Sequence, residues 1–453
     1  MSAPNPSPVR RAAYEVVRRV FEHGAYADRA FPAAAERHRL DRRSRAQAQR
    51  LAYGAIRGRG CSDYLIAELA RRRIEKLDPP VLAALRIGIW ELLHSDGTPA
   101  HAAVNEAVDL ARGGGAGRAT ALVNALLRRV AEGRGAELLS RLDPDDPSEA
   151  AILFSYPPWI VRLWFDELGP DSARSLLEAF NQPAERALRQ NPPPPASSPD
   201  LGQARKGEIL WPAGCEVRTG SLQGEAAAAI EAGRLVPQSR ASQLVVGLLE
   251  PGGEDRVLDL CAGPGIKATQ IAALQAASGG DGELVCVEPN RSRAAQITEM
   301  AGRLGVPAPH LIERPGEDPD LAEALAGSFD RVLVDPPCSA LGTMAARPDV
   351  RWNREQADLA ELSGRQAALL ARGLTALRPG GLLIYSTCTI SRRENEQILA
   401  AALAAHPEVE LDDLGAVSPS AAAIVSPTEP RALQTRPDRD RTDGFFIARL
   451  RRP

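Results

Sequence analysis

Only six of the 453 residues are cysteine (Cys61, Cys215, Cys261, Cys286, Cys338 and Cys388), and no two of them form a CxxC pair. No His-rich segment accompanies them. Structural zinc is therefore disfavoured, and a disulfide framework makes little sense in so long a chain. No apolar run approaches the roughly 18–20 residues that a membrane-crossing helix needs. The opening `MSAPNPSPVRRAAYEVV` has charge but lacks the apolar core of a signal peptide, so a cytoplasmic protein is expected. The phosphate-binding pattern GxxxxGK[ST] is missing, which leaves ATP hydrolysis poorly supported. A strict GxGxxG is missing as well, which makes a nicotinamide cofactor unattractive. Lysine occurs only at 76, 206 and 267.

What is present describes a soluble globular chain, 44% hydrophobic and 25% charged, long enough for two or three domains. Its net charge of −3 hides an asymmetry: residues 1–140 carry 23 basic against 15 acidic side chains, and the remainder 32 against 43. A basic module on an acidic body points to a polyanionic partner, although a solvated helical surface has the same composition. Eight arginines fall between Arg37 and Arg59. Val9, Ala13, Val16, Val17 and Val20 recur at helical spacing, as do Leu82, Leu85, Ile89, Leu92 and Leu93. Glycine and proline punctuate at 58–60, 79–80, 97–99 and 113–117. The pattern predicts an all-α bundle of five to seven helices.

This bundle resembles the RNA-binding antitermination factor NusB, through `LRIGIWELL`, `PAHAAVNEAVDLA` and `VNALLRRV` in that order and spacing. The resemblance implies an RNA-binding domain over residues 1–140. Gly133–Pro147 reads as a linker. A small α+β connecting subdomain is expected over 148–236, with `YPPWIVRLWFDELG` as an amphipathic helix and `NPPPPASSPD` as a Pro-rich loop. From about Leu235 short apolar strands alternate with helices, predicting an α/β Rossmann-like domain over 237–453. Strands are expected near 256–260, 283–288, 310–313, 329–334, 382–387 and 445–450.

The first of these strands ends `RVLDLCAGPGIKATQIAAL`: strand, glycine-bearing turn, helix. Such a turn lets a ligand approach the backbone beside a helix N-terminus. The second strand ends in Glu288, 23 residues after Gly265, where an acid can bind both hydroxyls of a ribose. S-adenosylmethionine, with an adenosine and no phosphates, suits this pair of features. Lys267 also reads as an ordinary solvated helix start.

Two further strands end in cysteine motifs, `DPPCSALGTM` and `STCTI`. Cysteine is often just a small buried hydrophobe, and Cys286 inside its strand fits that description. Cys338 and Cys388 instead stand beyond strand ends, where catalytic groups gather. Carbon-5 of a pyrimidine is a poor nucleophile until a thiolate adds at carbon-6, and cysteine needs only modest activation for that role. Asp335 is the natural acid beside ring nitrogen N3. Methylation of an exocyclic amine competes as a reading, since those enzymes share an Asn/Asp-Pro-Pro motif. An aromatic residue normally follows that motif, and here it is Cys338.

Together `LDLCAGPGIKAT`, `DPPCSALGTMAARPDVRW`, `YSTCTI`, `RRENE` and `TDGFFIARL` make residues 150–453 similar to the bacterial RNA (cytosine-5) methyltransferases. With the NusB-like module in front, the chain resembles their RsmB (Fmu/Sun) type, which modifies 16S ribosomal RNA. The resemblance implies Cys388 as nucleophile and Cys338 as the thiol assisting product release. It also implies S-adenosylmethionine contacts at Cys261, Ala262, Gly263, Pro264, Gly265, Ile266, Lys267, Glu288 and Asp335, with a further acid at Glu317 or Asp318. The expected partner is a single-stranded or flipped-out cytosine of 16S rRNA, met by a monomer without metal or membrane. The chain departs from the family at Ile266, where a second glycine is usual, at Ala345 and Ala346, where basic residues are common, and at Ser239, where aspartate is usual. A non-catalytic RNA-binding assembly factor, and a cytosine-5 enzyme acting on another RNA, stand as alternatives.

Overall fold

Seven helices run from Pro8 to Ala131: α1 (Pro8–His23), α2 (Ala27–Arg37), α3 (Arg42–Arg57), α4 (Arg59–Ala70), α5 (Pro79–His94), α6 (Ala100–Gly113) and α7 (Thr120–Ala131). Ser7 caps α1, its side chain accepting from the Arg10 N–H, and Asp41 caps α3 through the Ser44 N–H. The helical-period positions form the core as expected: Val16, Val17, Leu85, Ile89, Leu126 and Leu127 are buried together. The stretch read as a linker holds one more short helix, α8 (Arg134–Leu139), because Leu138 and Leu139 find apolar partners on the bundle. Helices α9 (Pro147–Leu153), α10 (Pro158–Leu168) and α11 (Pro170–Ala179) follow.

This computed structural model describes residues 6–95, 97–193, 212, 214–218, 222, 224–417 and 419–453. Lys206 and most of the Pro-rich stretch after Pro193 lie outside them. The chain divides into two compact units, one of Met1–Gln182 with Met344–Gln356, the other of Pro183–Thr343 with Ala357–Pro453. Residues 344–356, including the helical turn α17 (Val350–Asn353), thus belong with the helices by their contacts. Trp352 donates from Nε1 to the Ile56 carbonyl at 2.7 Å. Arg57 donates to the Ala345 carbonyl at 2.9 Å. Arg351, fully buried, donates to the carbonyl oxygens of Ser155 and the Asn181 side chain, over the ring of Tyr156.

The second unit begins with a small antiparallel sheet of β1 (Ala187–Gln190), β2 (Cys215–Val217) and β3 (Leu235–Pro237), with helix α12 (Glu225–Glu231). Then come α13 (Arg240–Leu249), β4 (Val257–Asp259), α14 (Ile266–Ala277), β5 (Leu284–Val287), α15 (Arg291–Leu304), β6 (His310–Ile312), α16 (Pro319–Leu325) and β7 (Phe329–Val334). After α17 follow α18 (Asp358–Ala376), β8 (Leu377–Thr387), α19 (Glu396–Ala405), β9 (Glu410–Leu411), β10 (Leu433–Gln434) and β11 (Phe446–Arg451). The main sheet has the order β10-β11-β8-β7-β4-β5-β6, with β9 paired to β11. Strands β4 to β8 run parallel and β11 antiparallel.

Continuous burial of β4 and β5 is what a parallel sheet covered on both faces requires. Leu244, Ile271 and Ile297 cover one face, and Leu321, Leu369, Leu374 and Leu399 the other. The chain order reverses around β4, which pairs with both β5 and β7, so a crevice opens beyond the carboxyl ends of these strands. β8 begins five residues before the expected 382. Its Pro379-Gly380-Gly381 stays within the strand as a register shift between Phe329↔Leu377 and Arg331↔Leu382.

Candidate active site

The turn after β4 is shaped by two glycines. Gly265 has φ +105°, a conformation L side chains rarely adopt, and the helix α14 starts at the very next residue. Ile266 therefore sits in ordinary helical backbone, and a second glycine there is unnecessary. Gly263 meets Glu288 so closely that an added Cβ would lie 2.0 Å from Oε2. The Glu288 carboxylate, 3% exposed, accepts the Asn290 N–H at 2.8 Å and stands 3.5 Å from the Arg293 guanidinium. Ala262 donates its N–H to the Val287 carbonyl, tying the turn to the end of β5. Ser239 caps α13 through the Ser242 N–H.

Asp335, just past β7, is held from two sides. Lys267 Nζ is 2.6 Å from its Oδ2, and the buried Ser386 hydroxyl donates to Oδ1 at 3.0 Å. Lys267 is thus an inward ion-pair partner and not a solvated helix start; its ammonium also lies over the ring of Phe445, 5.4 Å from the centroid. Burial works against the charged lysine, but Asp335's charge and hydrogen bond outweigh it and raise the Lys267 pKa. Asp259, at the end of β4, is 1% exposed. Burial first and the nearby Asp335 second push its carboxyl up to about 7. Around Cys261 burial is joined by the negative charges of Asp259, Asp335, Glu317 and Glu288, and its thiol is pushed well above the usual range.

Glu317 receives Arg365 at 2.8 Å, whereas Asp318 is occupied capping α16 through the Asp320 N–H and pairing with Arg314. Of the two acids, Glu317 is the one whose charge reaches Cys261. Cys286 is wholly buried in β5, as its strand position suggested.

Cys338 and Cys388 come together, sulfur to sulfur, at 3.3 Å. Their loops are joined by buried polar groups. Ser339 donates its hydroxyl to Glu394 Oε2 at 2.6 Å and lies 2.9 Å from the Thr389 hydroxyl. Gly342 donates its N–H to the Cys388 carbonyl at 2.9 Å. The hydrogen bond with Cys388 and then burial push the Cys338 thiol well up from its ordinary value. Asp259, Ser386, Glu394 and Asn395 lie within `VLDL`, `YSTCTI` and `RRENE`, and none of the four is among the expected site residues. The available signal was a polar residue at the carboxyl end of an apolar strand, or an acid–amide pair just before a helix.

A parallel sheet reversing around β4, with a glycine turn, an acid at the next strand end and a cysteine pair beyond β7 and β8, is a methyltransferase-type α/β domain, here following a NusB-type bundle. Residues 246–451 match the 16S rRNA methyltransferase RsmB/F family, and residues 7–132 match the NusB family. The chain is 34% identical to the ribosomal RNA small subunit methyltransferase B of Thermus thermophilus, over 90% of this chain and 89% of that one. It is 30% identical to the probable ribosomal RNA small subunit methyltransferase B of Synechocystis, over 98% and 99%. A crystal structure of a methyltransferase homolog protein from Pyrococcus horikoshii superposes with a TM-score of 0.53 at 26% identity, over 68% of this chain and 99% of that one. The chain belongs to the 16S rRNA methyltransferase RsmB/F family.

Proposed function

We propose that the chain methylates carbon-5 of a cytosine in 16S rRNA, using S-adenosylmethionine and a covalent adduct to Cys388. The observation that carries this reading is the 3.3 Å approach of two thiols at the carboxyl end of the sheet, beside Asp335. A transfer to an exocyclic amine uses no thiol; a transfer to carbon-5 uses one to add and profits from a second at elimination.

The residues present fit the cofactor. The turn from Cys261 to Lys267 brings the bare backbone of Gly263 against the Glu288 carboxylate, and that carboxylate suits ribose hydroxyls. Glu317 and Asp335 complete an acidic rim suited to the cationic end of the molecule. When bound, S-adenosylmethionine supplies an electrophilic methyl group to carbon-5. Cys388, as thiolate, adds to carbon-6, and the ring electrons move onto carbon-5 and toward N3. The proton that the Cys388 thiol gives up passes to N3, and Asp335, fixed by Lys267 and Ser386, accepts the hydrogen bond of that N3–H. Loss of the carbon-5 proton to water restores the ring double bond and expels the Cys388 sulfur, which takes back the N3 proton. The Cys338 S–H stands where it stabilises that departing sulfur.

The target base must leave its stack to reach either thiol, so single-stranded or flipped-out cytosine is the substrate. The basic helical unit supplies affinity for the surrounding phosphates. Incubation with methyl-labelled S-adenosylmethionine and a 16S transcript, followed by nucleoside mass spectrometry, tests the reading. It requires 5-methylcytidine; N4-methylcytidine or no methylated nucleoside contradicts it.

A further inference from the structure

Adjacent residues Glu394 and Asn395, neither of which any step above uses, each hold one of the two cysteine loops. Both are completely buried. Glu394 Oε1 accepts the Ser339 N–H at 2.8 Å and the Gln366 Nε2–H at 3.0 Å, and Oε2 accepts the Ser339 hydroxyl at 2.6 Å. Gln366 also donates to the Pro337 carbonyl at 3.0 Å, so the residues on both sides of Cys338 are anchored to one carboxylate. Asn395 does the same for Cys388: its Oδ1 accepts the Thr387 hydroxyl, and its Nδ2 donates to the Thr389 carbonyl at 3.0 Å. Tyr385 donates its hydroxyl to the Glu394 carbonyl at 2.7 Å, locking the pair to the end of β8.

We propose that Glu394 is a positioning residue that fixes the spacing of the two thiols and distinguishes them by setting its carboxylate behind the Cys338 loop. A carboxylate that accepts three hydrogen bonds from and around the Cys338 loop fixes that loop in place. Cys338 has around it Cys388 just past β8, Tyr385 of β8, Asp335 just past β7, and Glu394. Apart from the hydrogen bond with Cys388 and burial, the charges of Glu394 and Asp335 act in the same direction on its thiol. Lys267 pairs with Asp335. The division of labour between nucleophile and release thiol would then be written behind the site. This inference rests on the covalent reading above, and its first test, the alkylation of the two thiols, does not depend on methyl transfer.

The full-length Glu394→Gln protein is compared with wild type by brief iodoacetamide alkylation across pH, with the modification of Cys338 and Cys388 quantified separately by peptide mass spectrometry. Glutamine keeps the shape and one acceptor oxygen but removes the charge. The expected result is a downward shift of about one pH unit in the Cys338 profile, hence about tenfold faster alkylation of Cys338 at pH 8, with S-adenosylmethionine binding unchanged. A Cys338 profile that stays in place overturns the proposal, whatever the enzyme does to RNA. Should Glu394→Gln not fold, Ser339→Ala decides: it cuts the bridge between the loops and leaves the charge. It is expected to slow single-turnover methylation about tenfold at unchanged RNA and cofactor affinity and with the Cys338 profile in place. A wild-type single-turnover rate in that variant overturns the positioning role.

Discussion

Cys338 and Cys388 are 50 residues apart in the chain, and their sulfurs are 3.3 Å apart in the fold. The register of two neighbouring parallel strands brings this about. Val334 of β7 pairs with Tyr385 of β8, so a cysteine four residues past the first and one three residues past the second emerge side by side above the same edge. Neither is in a disulfide. The pair of strands that carries them is also the pair whose ends carry Asp335 and Ser386, so the thiols and the acid share one rigid support.

Glu288→Ala removes the acid that lies against the glycine turn. S-adenosylmethionine binding measured by calorimetry without RNA is expected to weaken by about 1–3 kcal/mol, the range for hydrogen bonds to a charged group. The melting curve checks that β5 and α15 remain folded. Unchanged affinity would remove Glu288 from the cofactor site.

Asp259 predicts a pH dependence of stability. Its folded pKa of about 7 stands above the ordinary 3.8, so between roughly pH 4 and 7 the folded protein holds one proton more than the unfolded chain. Stability from this group is therefore greatest in acid and is lost as pH rises through 7. Asp259→Asn has no such loss, and its advantage over wild type grows from pH 5 to pH 8, to at most about 4 kcal/mol. Thermal melts of both proteins without cofactor measure it. Parallel Tm curves across that range would show that Asp259 does not titrate as stated.

The arginine-rich stretch divides into two sets. Arg57 and Arg59 turn inward, toward the Ala345 carbonyl and toward Asp63 and the Phe21 and Trp352 rings. Arg43 and Arg50 are exposed on α3. Replacing Arg43 and Arg50 by glutamine is expected to flatten the plot of log Kd for 16S RNA against log salt by about 1.4, the release expected from two phosphate contacts on a single strand. Arg57→Ala is expected to leave that slope alone and to lower the melting temperature, through a lost hydrogen bond worth about 1–3 kcal/mol with its partner left buried. Filter binding over a salt series, with melts of both variants, separates the two sets.

Much of this site was legible because its parts lie at strand ends. Apolar runs such as `RVLVD` and `LLIYST` mark where strands stop, and the polar residue next in line must then face the crevice. The bundle was legible for a similar reason, since valine and leucine at helical spacing admit few other readings. Other features left no local trace. Lys267 looks like an exposed helix start until Asp335, 68 residues later, folds against it. Glu394 and Asn395 look like the solvated beginning of α19, yet the loops they hold come from two distant motifs. Residues 344–356 follow Cys338 directly in the chain, and only tertiary packing of Arg351 and Trp352 assigns them to the helical unit. Pairings of this kind depend on which strands become neighbours, which periodicity does not state.

The most direct test of covalent catalysis with divided thiols is a denaturing gel of Cys388→Ala and Cys338→Ala, each incubated with 16S RNA and S-adenosylmethionine. If Cys388 attacks carbon-6 and Cys338 serves release, Cys388→Ala gives neither adduct nor 5-methylcytidine. Cys338→Ala transfers the methyl group and then stalls as a protein–RNA band that survives denaturation. Adduct from Cys388→Ala and none from Cys338→Ala would reverse the roles, and no adduct from either protein would contradict covalent catalysis.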